Sequence, residues 1–379
     1  MNKPKILHIT PWFPNENNST EGIFVWEHIK SLSAHTINEI ISISFSKEKK
    51  FEEKEYEGVK HTEIRLKPLI DKWIFKERSA SKQVAKILAK RHKEFDLINF
   101  HIAYPNAISI DKLKSSYPNL KFVITEHWTA YRYNFHLSED NKGRKRIEQI
   151  FHHNIPVITV STALAEDIQN FSKTTGFDSH IVPNVIRTDI FSYKEKTKKE
   201  TFRFSSINNW NPMKNPITLI KAFHKVALKN PNIELVFAGT GDLIPEMNTL
   251  VKTLGLTDKV IFLGRISKQK VAEVLFNSDV YVQCSNYETF SVISAEALAT
   301  GTPVITTKIG GVLDFIDDSN GILVEGMDID NWAEAMEASI AEFEQYDLLK
   351  ISQNAHNRFN LDAVGETYSK AITSIINEG

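Results

Sequence analysis

Two glutamates seven residues apart lie in the segment YETFSVISAEALATGTPVITTKIGG, which covers residues 287–311. This segment follows the apolar run VYVQC. Its pattern predicts a loop, a helix from about Ser291, a turn at Gly301 and a further strand. Glu296 then lies about one and a half turns inside the helix, roughly 7 Å along its axis. Glu288 stays on the loop ahead of the helix.

The start of this helix has the chemistry of an anion site. The amide groups of Phe290, Ser291 and Val292 would lack helical partners there, and the positive end of the helix dipole favours a diphosphate. A carboxylate at Glu296 can accept hydrogen bonds from both hydroxyls of a ribose, and Glu288 can reach the hydroxyls of a sugar. The alternative is that Glu288 caps the helix and that Glu296 is a solvated helical residue.

Strands and helices alternate along the whole chain. Short apolar runs predict strands at Lys5–Thr10, Glu39–Phe45, Asp96–Ile102, Lys121–Glu126, Pro156–Val160, His180–Pro183, Phe202–Ile207, Glu234–Ala238, Val260–Leu263, Val280–Gln283, Val304–Thr306 and Gly321–Val324. Amphipathic stretches between them predict helices, for example at Phe24–Ser33, Ala80–Lys93, Thr218–Leu228 and Asn331–Ala341. This alternation indicates an α/β protein with parallel sheets that are covered on both faces.

One polar segment, SYKEKTKKET at residues 192–201, predicts a domain boundary, since strand–helix alternation restarts directly after it. We expect a Rossmann-like domain over 1–191, a linker over 192–201, a second Rossmann-like domain over 202–355, and a C-terminal helix over 356–379 that packs back on the first domain. Ligands of such domains bind beyond the carboxyl ends of the strands, so two facing domains would enclose a ligand cleft.

Composition narrows the function classes. The 379 residues carry a formal net charge of −1, which argues against a nucleic-acid partner. A single cysteine, Cys284, allows no intramolecular disulfide and no thiolate zinc cluster. The N-terminal residues lead straight into a strand, and no run approaches the ~18 apolar residues of a membrane span. We therefore expect a cytoplasmic protein.

The chain resembles glycosyltransferase family 4, whose members are retaining nucleotide-sugar enzymes with the GT-B fold of two facing Rossmann-like domains. Residues 287–311 are similar to the E-x7-E signature of that family. Further similar segments are ILHITPWFPNENNSTEGIFVWEHIKSL, VITEHWTAY, VPNVIRTDIF, NPMKNPITLIKAF, FAGTGDL and VIFLGRIS. The resemblance implies metal-independent transfer of a hexose-type sugar from a UDP- or GDP-sugar to a glycan or lipid-linked acceptor, in cell-surface polysaccharide or glycoconjugate synthesis. The donor would bind the second domain and the acceptor the first.

The resemblance also assigns roles to single residues. Lys214 would pair with the donor diphosphate, Glu296 would hold the ribose, and Glu288 and His127 would lie near the transferred sugar. Gly22 would let the backbone approach phosphate or acceptor. Further donor contacts would come from Phe290, Ser291, Val292, Asn209, Gly241 and Arg265. From the residues alone, Lys214 also fits a solvated lysine, His127 a structural histidine and Gly22 an ordinary turn.

Two features bear on the charge of the leaving diphosphate. Asn209 stands where the family usually has an arginine, so the diphosphate would be less neutralised unless Arg265 or another cation compensates. A D-x-D sequence at Asp328–Asp330 could in principle hold a divalent metal. Its position directly before NWAEAMEASI indicates a helix start instead, and we expect no metal.

The segment 65–93 contains ten basic and two acidic residues, with Trp73, Ile74 and Phe75 near its start. Such a segment can contact an anionic membrane at the inner leaflet, and the alternative is a solvated helix face.

Two other functions stay open. A nucleotide-sugar epimerase of the same fold would form product from the donor without an acceptor, and a non-enzymatic two-domain sugar-binding protein would bind free sugar without nucleotide.

Overall fold

The computed structural model describes residues 3–68, 70, 72–174, 176–196 and 200–377. The chain forms two compact units, Met1–Val185 with Leu361–Gly379, and Ile186–Asn360. The boundaries predicted at 191 and 356 thus differ from these by a few residues. The predicted linker belongs to the second unit, in which Lys196 Nζ donates to the carbonyl oxygen of Ser278 at 2.6 Å. Residues 197–199 of that linker lie outside the described residues.

The first unit is built on an eight-stranded sheet with the strand order β3-β4-β2-β1-β5-β6-β7-β8. Its strands are β1 (Lys5–Thr10), β2 (Ile37–Phe45), β3 (Lys50–Tyr56), β4 (Val59–Leu66), β5 (Leu97–His101), β6 (Lys121–Glu126), β7 (Val157–Thr159) and β8 (Ser179–Ile181). Its helices are α1 (Ile23–Ser31), α2 (Trp73–Arg91), α3 (Ile110–Ser116), α4 (Lys142–Gln149), α5 (Thr162–Ser172) and, from the end of the chain, α12 (Leu361–Asn377).

One edge of this sheet contains an antiparallel pair that the sequence analysis did not predict. Strands β3 and β4, which the sequence analysis missed, form a hairpin, and β3 pairs antiparallel with β4. Glu57 and Gly58 make the two-residue turn, both with positive φ (44° and 81°), as a hairpin turn matching the strand twist requires. The sequence KFEEKEY of β3 has few apolar residues because an edge strand carries charges that discourage pairing with another chain. Apolar periodicity therefore could not reveal it.

The second unit contains a six-stranded parallel sheet of order β11-β10-β9-β12-β13-β14. Its strands are β9 (Phe202–Ile207), β10 (Ile233–Ala238), β11 (Val260–Phe262), β12 (Val280–Gln283), β13 (Val304–Thr307) and β14 (Gly321–Val324). Its helices are α6 (Pro216–Lys229), α7 (Ile244–Thr253), α8 (Lys268–Phe276), α9 (Val292–Ala299), α10 (Ile329–Glu342) and α11 (Leu348–Phe359). All twelve predicted strands are present, with ends within two residues of the predicted ones.

Helix α12 completes the core of the first unit. Val364, Tyr368 and Ile372 pack with buried side chains of β1, β5 and β6. The Tyr368 hydroxyl lies 2.6 Å from Asn99 Nδ2, and a Cβ on Gly365 would lie 2.3 Å from a backbone oxygen of α1. The predicted C-terminal helix is therefore two helices, which meet at Asn360: its first residues end α11, and the rest is α12.

Five histidines are buried in the first unit, at His8, His28, His61, His101 and His127. Burial is the main cause that lowers the pKa of His8 and of His28 to about 4. His8 Nε2 lies 3.1 Å from Asn38 Oδ1 and its Nδ1 lies 3.0 Å from His101 Nε2. These rings are consequently neutral in the folded protein at physiological pH.

We predict that the protein loses stability between pH 6.5 and about pH 4. In this window both histidines are protonated in the unfolded chain but stay neutral in the folded protein. The free energy of unfolding therefore falls by roughly 1.4 kcal/mol per unit decrease in pH for each ring. Urea unfolding at pH 7, 6 and 5 measures this slope. His28→Gln can still donate to the Pro183 carbonyl but cannot titrate. Its free energy of unfolding should therefore fall less steeply with decreasing pH, by the roughly 1.4 kcal/mol per pH unit that one histidine contributes. An unchanged slope for His28→Gln would contradict the assignment.

Candidate active site

Lys214 and Glu288 meet where the strand order of the second sheet reverses. Beyond β9 the chain continues to β10 on one side and beyond β12 to β13 on the other, so the loops after β9 and β12 flank the crevice typical of ligand sites in such sheets. Lys214 Nζ lies 2.5 Å from Glu288 Oε1. The Asn286 N–H donates to the carbonyl oxygen of Met213 at 2.8 Å, which ties the two loops together. Lys214 is thus an ion-paired, half-buried residue.

Helix α9 begins directly after the Glu288 loop. Its N-cap residue, Ser291, is buried and has a left-handed backbone (φ 71°), which is unfavourable for a residue other than glycine. The Ser291 side chain does not cap the helix, so the amides of the first turn are left for another partner. The Phe290 ring packs between Phe315 and Phe359, at centroid distances of 5.1 and 5.5 Å. Phe290 and half-buried Val292 can therefore serve this helix end through their backbone.

Glu296 lies in the second turn of α9, and its side chain is only 6% exposed. Burial raises the pKa of this carboxyl, and Lys268, the first residue of α8, opposes that shift from 2.9 Å. The structure therefore excludes a solvated role for Glu296. It also excludes the capping role for Glu288, whose carboxylate faces Lys214 and Gln283.

The pair Gly310 and Gly311 supports the Glu288 loop from below. The Gly311 N–H donates to the carbonyl oxygen of Glu288 at 2.8 Å. A Cβ on Gly311 would lie 2.0 Å from the carbonyl oxygen of Thr289, and Gly310 has a φ of 77°. Larger residues here would push away the backbone that carries Glu288.

His127 follows β6 in the first unit and is buried among rings. The centroids of Phe24 and His28 lie 4.8 and 5.0 Å from that of His127. Its pKa is well below the ordinary value, first because of burial and then because of His28. Neither ring nitrogen has a hydrogen-bond partner of good geometry among the described residues. His127 is therefore a neutral imidazole, and Asn184 is the polar side chain that opposes the lowering of its pKa.

Comparisons with known proteins identify the family of the chain. Residues 187–358 match the model "Glycosyl transferases group 1", and residues 23–190 match the model "Glycosyltransferase Family 4". The chain belongs to glycosyltransferase family 4.

Individual relatives of this family 4 chain are distant. An uncharacterized glycosyltransferase of Methanocaldococcus jannaschii is 26% identical over 60% of this chain and 63% of its own length. The N-acetyl-alpha-D-glucosaminyl L-malate synthase of Bacillus anthracis is 27% identical over 62% of each chain. This chain thus spans less than two thirds of the length of these relatives.

Solved structures show that this family 4 chain has the GT-B fold. Sucrose-phosphate synthase of Thermosynechococcus elongatus superposes with a TM-score of 0.77 at 18% identity, covering 100% of both chains. HepE of Anabaena in complex with UDP has a TM-score of 0.74 at 16% identity, covering 98% of this chain and 100% of its own.

The remaining predicted donor contacts of the family 4 chain lie on the same edge of the second sheet. Asn209 and Arg265 are exposed, and neither has a hydrogen-bond or ion-pair partner in the described part of the chain. Their loops are adjacent, since the Gly239 N–H donates to the Gly264 carbonyl at 2.7 Å and a Cβ on Gly239 would lie 1.9 Å from the Asn208 carbonyl. Gly241 approaches Trp210, whose carbonyl oxygen would lie 2.1 Å from an added Cβ. The absence of a side chain at Gly241 thus makes room for the backbone of Trp210.

Gly22 has a comparable structural reason in the first unit. It precedes α1 with a φ of 60°, and an added Cβ would lie 2.4 Å from the carbonyl oxygen of Trp12.

The D-x-D residues also have structural partners. Asp328 caps α10 by accepting from the amides of Asp330 and Asn331, and Asp330 pairs with Lys225.

Three residues that contact the predicted site residues were not themselves predicted. Lys268 neutralises Glu296, and Gln283 donates to Glu288. Glu126, buried in the first unit, accepts from the amide of His127 at 3.1 Å and so fixes the backbone of that residue. The sequence signal for Glu126 was its place beside His127 at a strand end. Nothing in the sequence relates Lys268 to Glu296, because their contact depends on how α8 packs beside α9.

Proposed function

We propose that this protein is a retaining, metal-independent glycosyltransferase that moves a hexose-type sugar from a UDP- or GDP-sugar to a glycan or lipid-linked acceptor. The observation that carries this proposal is the start of α9. There Lys214 and Glu288 form an ion pair on the loops ahead of a helix whose N-cap side chain makes no capping hydrogen bond, and Glu296 is buried one turn further along.

Each part of the donor has a partner in the second unit. The diphosphate would lie against the first amides of α9 and take the ammonium of Lys214, since a helix N-terminus favours an anion. Glu296 would accept from the ribose hydroxyls, as an ion-paired, buried carboxylate. Glu288 would accept from hydroxyls of the sugar that is transferred. Exposed Arg265 and Asn209 lie on loops of the same edge and would add charge and a donor for the phosphates.

The transfer itself needs stabilisation of the leaving diphosphate. The bond between the anomeric carbon and the phosphate oxygen breaks, and the acceptor oxygen forms its bond on the same face. The proton of the acceptor hydroxyl moves to an oxygen of the leaving phosphate, which is the family's usual account of retention. Lys214 and the helix amides would stabilise the charge that develops, a contribution of several kcal/mol. His127 would lie near the sugar, where a neutral imidazole can donate to or accept from a hydroxyl.

We predict a division of labour among three substitutions. Glu296→Ala should lose nucleotide affinity, because the ribose partner is gone, whereas Glu288→Ala should keep affinity and lose turnover. Lys214→Ala should lose about 2–4 kcal/mol of transition-state stabilisation, as for removal of one preorganised donor. A thermal-shift panel of UDP, GDP and their sugar conjugates reads affinity, since a ligand raises stability by mass action. Donor kinetics read turnover.

Asp314→Asn, which lies after the Gly310–Gly311 pair, serves as a control for the loss of an acidic side chain and should leave both readouts near wild type. Normal nucleotide binding and turnover in all three variants would contradict the site. Formation of an epimer from donor alone, without acceptor, would replace transfer by epimerisation.

The acceptor side of the proposal rests on segment 65–93. Ile70, Trp73 and Ile74 are exposed by 47, 58 and 37%. The exposed cations beside them are Lys67, Lys72, Arg78, Lys82, Lys86, Lys90 and Lys93. Glu77 is buried against Arg146, and Asp71 lies outside the described residues. None of the helices in the described part of the chain has the length and apolarity to cross a bilayer. We propose that α2 contacts the anionic inner leaflet peripherally and so meets a lipid-linked acceptor.

Co-sedimentation with vesicles tests this contact. The protein should pellet with phosphatidylserine vesicles at low salt, stay in solution with phosphatidylcholine vesicles, and be released by salt. Lys82→Gln/Lys86→Gln/Lys90→Gln should weaken binding by about 1 kcal/mol per cation, and Trp73→Ala should weaken it further. Lys221→Gln/Lys252→Gln/Lys370→Gln makes the same charge change elsewhere and should bind like wild type. Absence of binding at low salt would remove the membrane contact.

A further inference from the structure

Gln283 is a buried polar residue at the end of β12, and its carboxamide is held on both sides. Its Oε1 accepts from three hydroxyls, those of Ser291 at 2.8 Å, Ser294 at 3.0 Å and Tyr281 at 3.2 Å. Its Nε2 donates to Glu288 Oε1. Since an ionised carboxylate can only accept, the NH₂ group must face Glu288, and the orientation of the amide is thereby determined.

Glu288 Oε1 has two donors, because Lys214 Nζ lies on the same oxygen at 2.5 Å. These donors differ in freedom. The lysine ammonium ends a flexible chain and is the group that a diphosphate would attract, whereas the Gln283 side chain is 1% exposed and tied to three hydroxyls. When Lys214 turns to the diphosphate, Gln283 is the donor that stays with Glu288.

We infer that Gln283 is a positioning residue that keeps the Glu288 carboxylate in place for the sugar while Lys214 serves the diphosphate. This inference rests on the proposed function. Ser291 supports this role, since its hydroxyl donates to the amide oxygen and so helps to orient the NH₂ group toward Glu288.

The test replaces Gln283 by methionine, which has a similar length and no donor. Gln283→Met should lower kcat by about 10- to 100-fold, the value of a hydrogen bond to a charged group, while the donor KM changes by less than about 3-fold. If Gln283 acts only through Glu288, its replacement should not lower kcat further once the Glu288 carboxylate has been removed. Gln283→Met/Glu288→Gln should therefore be no slower than Glu288→Gln alone. Ser206→Ala serves as the control. It removes a buried hydrogen bond from β9 to the carbonyl oxygen of Val282, the residue before Gln283 on β12, and should keep wild-type kcat and KM.

The outcomes separate the inference from the function on which it rests. Absence of nucleotide binding and of transfer in the wild type would refute the proposed function. With an active wild type, an unchanged kcat in Gln283→Met, or losses that multiply in the double variant, would overturn the positioning role. If Gln283→Met melts more than about 5 °C below wild type, Ser294→Ala carries the same test, because it removes one of the three hydroxyls that orient the amide. Its smaller loss of kcat should again disappear in the Glu288→Gln background.

Discussion

The need to hold charged groups at the start of one short helix shapes the second unit. Carboxylates and an ammonium are costly to bury unless each has a partner, and the loops after β9 and β12 together with the start of α8 supply those partners. Lys214 pairs with Glu288, and Lys268 pairs with Glu296. The backbone beneath is equally constrained, with a left-handed serine at the N-cap and the Gly310–Gly311 pair against the Glu288 loop. The strain and the close packing preserve an arrangement in which the first amides of α9 remain available.

Ion pairing also determines what donor binding would require. Lys214 and Glu288 neutralise each other, and each would exchange that partner for a part of the donor. Binding would then cost one ion pair and form two interactions, with Gln283 as the fixed donor that prevents the carboxylate from being left alone. In the first unit burial has a different effect, since it keeps His127 neutral and able to both donate and accept.

Much of this could be predicted from the sequence, for reasons that also explain what was missed. Continuous apolar runs predicted twelve strands, because strands buried on both faces leave that pattern. The charged edge strand β3 leaves no such pattern, and the break at Asn360 is not visible in an amphipathic run that continues across it. At the site, the spacing of Glu288 and Glu296 predicted a loop carboxylate and a helical one, as observed. Lys268 and Gln283 escaped notice because their roles arise from side-chain directions after packing, which residue type and spacing do not encode. Gly22 and Gly241 show the opposite case. The sequence analysis gave both glycines a role in ligand binding, whereas the atoms nearest to an added Cβ are backbone atoms of Trp12 and Trp210.

We propose above all that a nucleotide diphosphate binds at the amide end of α9, and a crystal structure of the complex with UDP or GDP would decide this. We expect the diphosphate within hydrogen-bond distance of the amides at 290–292, the Lys214 ammonium moved from Glu288 to a phosphate oxygen, and the ribose hydroxyls on Glu296. A nucleotide bound elsewhere, or one bound here with the Lys214–Glu288 pair intact and Glu296 away from the ribose, would contradict it.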